Sequence, residues 1–172
     1  KGMVVMADPT LHVPTIQWLS SLHKIMAKEK VERFIRDLAA MKPILVESML
    51  PASERVATGE IPIALTFVKF AYSAAQSGAS LDYVRVDKML GDSHFVALSN
   101  KAPRPNAGKA FVDFYLDDES MKILAQSGEF VNRKGMYPPL PGADKIQYVQ
   151  MEVLEAKAFE DKKKEFGKIF LK

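Results

Sequence analysis

Asp8, Thr10, Ser48, Thr66 and Phe67 are the residues of this chain whose types and positions could hold a small solute. Each stands where a short apolar run ends and a helix-forming stretch begins. Asp8 follows Met3-Val4-Val5-Met6-Ala7, Ser48 follows Ile44-Leu45-Val46 by two residues, and Thr66-Phe67 follows Ile61-Pro62-Ile63-Ala64-Leu65. Free N–H groups at a helix start attract negative charge, and a carboxylate or hydroxyl beside them adds directed hydrogen bonds. Plainer roles stand open at the same positions. Asp8-Pro9 equally forms a turn and cap, Thr10 a helix cap, Ser48 a turn, and Phe67 a core or cleft-wall residue.

Other chemistries lack their residues. The chain has no Cys, which removes disulfides, zinc fingers, iron–sulfur clusters and cysteine nucleophiles. His12, His23 and His94 have no metal-ligand spacing, and Pro9 argues against Asp8 and His12 sharing a helical face. His23, on an apolar stripe, reads as half-buried and hydrogen-bonded. Gly108-Lys109 is no phosphate loop, because Pro103 and Ala110 occupy positions that need Gly and Ser or Thr. No Gly-x-Ser-x-Gly elbow occurs. The acid–base pair that can be nominated for a hydrolytic enzyme is Asp8 with His12. The expectation is a protein that is not an enzyme, with no catalytic residue, no metal ligand in this lobe and no resident cofactor.

The elements that must position these residues follow from pattern. Met3–Ala7 is an apolar run suited to a strand buried on both faces. Helices are expected over Pro14–Ala27 and from Glu29 to Pro43, the second with Val31, Phe34, Ile35, Leu38 and Ala39 on one stripe. Ile44–Val46 reads as a strand, and a brief helix after Pro51 closes at Gly59 in the left-handed conformation. A strand over Ile61–Leu65 and a helix over Phe67–Ser77 follow. Further strands are expected at Leu81–Val86 and His94–Leu98. A helix after Pro105 places Ala107, Ala110, Phe111 and Phe114 inward, and Asp117 or Asp118 caps the next, which stops at Gly128. Residues 129–146 read as loop and Tyr148–Val153 as a last strand. Glu155–Lys172 is a charged amphipathic helix with Phe159, Phe166 and Phe170 on one side and Lys162-Lys163-Lys164 on a solvated face.

The alternation of strands and helices predicts an α/β fold with right-handed crossovers and a mostly parallel sheet flanked by helices. Ligands of such sheets bind beyond the carboxyl ends of the strands, where Asp8–Thr10, Glu47–Leu50 and Thr66-Phe67 lie. With 172 residues and 48 % hydrophobic content the chain can build a real core. Its 24 Lys and Arg against 21 Asp and Glu leave +3, no argument for nucleic acid. No apolar run reaches the ~20 residues of a membrane span. The start at Lys1-Gly2, just before an apolar run, suggests a piece cut from a longer polypeptide whose secretion signal, if any, was removed or lies upstream.

Three segments carry a family resemblance. Ala7-Asp8-Pro9-Thr10 after an apolar strand resembles the opening of the second lobe in periplasmic (extracellular) substrate-binding proteins of ABC importers. Thr58-Gly59-Glu60-Ile61-Pro62-Ile63-Ala64-Leu65 is similar to that family's glycine–glutamate turn into a strand. The run from Ala97 to Phe114 (Ala97-Leu98-Ser99-Asn100-Lys101-Ala102-Pro103-Arg104-Pro105-Asn106-Ala107-Gly108-Lys109-Ala110-Phe111-Val112-Asp113-Phe114) resembles its passage from strand to packed helix. The ferric-iron group is the nearest in pattern.

The resemblance implies a periplasmic-binding-protein type II-like lobe: the second lobe plus the C-terminal helix, with the first lobe of the same protein missing. Residues 1–149 would form the ligand-binding α/β lobe, and 150–172 a return strand and C-terminal amphipathic helix, its apolar cover plausibly the other lobe or hinge. The implied function is the solute-binding component of an ABC-type importer, located in the periplasm or outside the cell. It would bind a small anionic or ferric-iron/anion ligand in an interlobe cleft and dock on an ABC permease in the membrane. Ferric carriers usually place adjacent tyrosines where this chain has Thr66-Phe67-Val68; the nearest phenol is Tyr72, read as a packing residue. Recognition by hydroxyls and helix N–H groups is therefore expected, with Fe3+ as transported ligand and no protein phenolate on it. The alternatives are the ligand-sensing domain of a transcriptional regulator with the same fold, and a hydrolytic enzyme.

Overall fold

The computed structural model describes residues 2–171. Its first strand, β1 (Val4–Ala7), forms because four apolar residues in extended conformation can be buried on both faces, and all four are. β2 (Ile44–Val46) and β3 (Ile63–Leu65) pair with β1 on either side, both parallel, in the order β2-β1-β3. Val5 stands opposite Ile44 and Ala64, and Met6 opposite Leu45 and Leu65. Pro62 falls just outside the ladder, where its missing N–H costs nothing.

Side chains of β1 alternate between two cores, as a period of two requires. Val4 and Met6 join Ile16, Leu19, Leu22, Val31, Leu38 and Phe166. Val5 joins Ala52 and Ile61 on the opposite face. The first core is closed by helices α1 (Val13–Ser21) and α2 (Lys28–Ala40), the second by α3 (Met49–Ala57), which packs on α4 (Val68–Gln76). Pro14 occupies the first turn of α1, and Gly59, at φ +76°, ends the α3 segment in the conformation expected of it. Helix α1 is shorter than expected; after Ser21 the chain tightens into a 3₁₀ turn, Leu22–Lys24.

The strands expected at 81–86 and 94–98 do not form. Within the first segment Asp82 accepts the Tyr83 amide (2.8 Å) and pairs with Arg85 (2.9 Å), whose guanidinium also lies over the Tyr83 ring. A contact between residues three apart is foreign to an extended strand, and such local bonds compete with ladder pairing. The hydrogen bond from Arg85 holds the Asp82 carboxyl below its usual range. The chain instead makes β4 (Lys88–Gly91), which pairs parallel with β5 (Gln147–Gln150) as a separate two-stranded sheet. Tyr148 lies across Gly91 so closely that a Cβ there would stand 2.3 Å from Cε2. That glycine makes room for the ring.

The last helix, α7 (Ala156–Phe170), finds its apolar cover on α1 and α2. Phe166 is 1 % exposed in the core that also holds Val4 and Met6. Contacts divide the chain into two compact units. One comprises everything up to Asp92 together with the chain from Ile146 onward, and the other is Ser93–Lys145.

The second unit holds α5 (Pro105–Tyr115) and α6 (Asp118–Gln126). Asp117 caps α6 by accepting the Ser120 amide at 2.7 Å, and the Ser120 hydroxyl donates to Phe114 O at 2.7 Å. Arg133 bonds Asp118 and the Leu116 carbonyl. Contrary to expectation, α5 buries no residue: Phe111 is 57 % and Phe114 63 % exposed. An apolar stripe defines a face, and among the described residues this one stays largely exposed, although α6 packs beside the helix and Leu98 lies against Gly108.

Candidate functional site

Three parallel strands end at one edge of the sheet, and the segments leaving that edge carry Asp8 and Thr10, Ser48, and Thr66 and Phe67. β1 lies between β2 and β3, so the chain leaves the sheet to opposite sides from this edge, the point where α/β sheets hold ligands. Two hydrogen bonds draw the segments together. Asp8 N donates to Val46 O (2.8 Å), tying the end of β1 to that of β2, and Thr66 Oγ1 donates to Met49 O (2.7 Å), tying the end of β3 to the start of α3.

Asp8 shapes its own loop. Its Oδ1 accepts both the Thr10 amide (2.7 Å) and the Thr10 hydroxyl (2.6 Å), and its carbonyl accepts the amides of Leu11 and His12. This is the turn role of Asp, and both bonds use the same carboxylate oxygen. The Thr10 hydroxyl donates its hydrogen bond to Asp8, so towards a ligand it can only accept. Its methyl meets α7, where a Cβ on Gly167 would stand 3.5 Å away. The C-terminal helix thus borders the β1–α1 loop.

His12 occupies the N-cap position of α1 but makes no side-chain cap bond. Its Nδ1 lies 2.9 Å from the hydroxyl of Thr15, which is fully buried. Burial pushes the imidazole below its ordinary value of 6.5, because the charged ring loses water. Asp8 and His12 meet through their backbones, His12 N donating to Asp8 O at 2.9 Å, while the carboxylate bonds Thr10 and the imidazole bonds Thr15. The sequence signal was their spacing of four around a Pro.

Ser48 precedes α3 in extended conformation (φ −154°, ψ 176°) and its hydroxyl makes no cap bond. The first N–H groups of α3, on Met49 and Leu50, stand behind it. Thr66 spends its proton within the protein. Phe67 precedes α4 and packs its ring on Phe70, centroids 5.8 Å apart, as a half-buried wall. Tyr72 is half-buried on α4. The edge therefore offers a carboxylate and a hydroxyl acceptor at β1, and a free hydroxyl with helix N–H groups at α3.

A groove of about 160 Å³ runs between α3 and α4, lined by Leu50, Ser53, Ala57, Phe70 and Ala74 among others. None of Asp8, Thr10, Ser48, Thr66 and Phe67 lines it. Its polar groups are the Glu54 carboxylate and the hydroxyls of Ser53, Ser73 and Ser77, of which Ser53 donates to Leu50 O and Ser77 to Ser73 O. Among the described residues, no group of three or more His, Asp or Glu converges to hold a metal ion. Likewise no helix among them is long and apolar enough to cross a membrane. Set against protein-family models, curated proteins and solved structures, the chain matches none of them.

Proposed function

We propose that this chain is the second, ligand-binding lobe of a solute-binding protein that serves an ABC-type importer in the periplasm or at the cell exterior. The ligand is a small anionic solute or a ferric-iron/anion complex, held in a cleft completed by a first lobe and released on docking to a membrane permease. The single observation that carries this reading is the convergence of Asp8-Thr10, Ser48 and Thr66-Phe67 at one carboxyl edge of a three-stranded parallel sheet.

In this reading Ser48 and the first N–H groups of α3 receive the anionic part of the solute, stabilised by the positive end of the helix. Thr66 and Asp8 fix the loops, Thr10 offers an acceptor, and Phe67 forms a wall. The protein performs no covalent chemistry.

Titration calorimetry of the chain with citrate, with phosphate and with ferric citrate tests the reading. One lobe supplies part of the contacts, so the expected affinity is on the order of millimolar, about −4 kcal/mol. Heat from none of the three solutes overturns the proposal, and nanomolar binding overturns its half-site form. The visible spectrum with ferric citrate is expected to lack a tyrosinate–iron band and to be the same for Tyr72→Phe.

A further inference from the structure

His23 carries contacts of a different kind, away from the strand edge. Its Nδ1 lies 2.8 Å from Ser20 O, and its Nε2 lies 3.2 Å from Glu152 Oε1. A carbonyl oxygen only accepts, so Nδ1 must be the donor there. That assignment leaves a neutral ring with a bare lone pair on Nε2, facing a carboxylate that also only accepts. The arrangement is favourable when a proton sits between Nε2 and Glu152, which the imidazolium supplies.

Two further bonds join the same segments. The Glu152 amide donates to the buried Ser21 hydroxyl (2.8 Å), and Lys24 Nζ donates to Gln150 O (2.9 Å). Together they fasten the connection between β5 and α7 to the end of α1. Lys24, on the same 3₁₀ turn as His23, is directed to Gln150, and α2, which packs on that turn, begins with Lys28 and Glu29. Among the described residues neither of these makes an ion pair with the ring, whereas Glu152 does.

We infer that His23 and Glu152 form a proton-dependent clasp that holds the root of the C-terminal helix to α1 in acid and loosens it as the ring becomes neutral. Because α7 also borders Thr10 at Gly167, the clasp sets how firmly the helix beside the β1–α1 loop is anchored.

The Glu152 amide is its own reporter, since it donates across the clasp. Hydrogen exchange of that amide, corrected for intrinsic rate, is expected to show about two- to fivefold greater protection at pH 5.5 than at pH 7.5, the range of an exposed ion pair. Glu152→Gln and His23→Gln should each remove the difference while leaving exchange in β1 unchanged. Equal protection at the two pH values in the parent overturns the clasp. So does a pH dependence that persists in Glu152→Gln, a variant at a half-exposed position that keeps the reporting amide.

Discussion

Strand β1 buries all four of its residues, whereas helix α5, with Ala107, Ala110, Phe111 and Phe114 at helical spacing, buries none. Both segments are apolar in pattern, and both form the element that the pattern specifies. They differ in what covers them. β1 lies between two strands, with α1, α2 and α7 closing one face and α3 the other. On α5, Phe111 and Phe114 stay more than half exposed, although α6 packs beside the helix. Amphipathicity tells which side of a helix seeks cover, not whether this chain supplies that cover.

The largest effect that sharpens this contrast is expected from two Phe→Ala replacements. Phe166→Ala in the core around β1 should cost about 3–5 kcal/mol of unfolding free energy. Phe114→Ala on the open face of α5 should stay within about 0.5 kcal/mol. Urea unfolding at constant m-value reads both. A Phe114→Ala cost approaching that of Phe166→Ala would show that the α5 face is covered in solution, and the contrast would fail.

Next in size is the cap of α6. Asp117→Ala removes the acceptor of the Ser120 amide and should destabilise the Ser93–Lys145 unit by about 1 kcal/mol. Hydrogen exchange should place the loss in α6 while β1 keeps its protection. Equal loss of protection in β1 would mean that the two regions unfold as one.

Thr66→Val comes third. It removes the bond to Met49 O while that carbonyl keeps its helical partner, so about 0.5–1 kcal/mol of stability should be lost. Under the proposed function, binding of ferric citrate should weaken as well, because the strand end and the start of α3 come apart. A stability loss with unchanged binding would detach Thr66 from the site.

The smallest expected effect belongs to His12. Its folded-state pKa is depressed by burial, so the unfolded chain binds more protons in that window. Stability should therefore fall as pH drops below the unfolded value of 6.5, and recover above it. His12→Gln should flatten that slope in urea midpoints taken between pH 5 and 8. The His23 clasp has the opposite sign, which makes Glu152→Gln the control that separates them.

The elements that were legible in the sequence are those whose cause lies within a few residues. The apolar run of β1 reads directly, as does the stripe of α2. So do the left-handed stop at Gly59 and the Asp117 cap, because dihedral preference, helical period and capping bonds are local. Asp8, Thr10, Ser48 and Thr66 were singled out on the same local ground, as polar groups at the ends of apolar runs, and Phe67 as the residue that follows the third run. What the sequence did not disclose are the relations between distant segments. Lys88–Gly91 pairs with Gln147–Gln150, residues 81–86 stay out of any ladder, and Phe166 lies in the core while Phe114 faces water. Even the role of a candidate changed with its neighbours, since Thr66 spends its proton on Met49 and Thr10 on Asp8. A side chain's type and spacing determine what bonds it can make. Which bond it does make depends on what partner the fold brings within about 3 Å, and only the tertiary structure decides that.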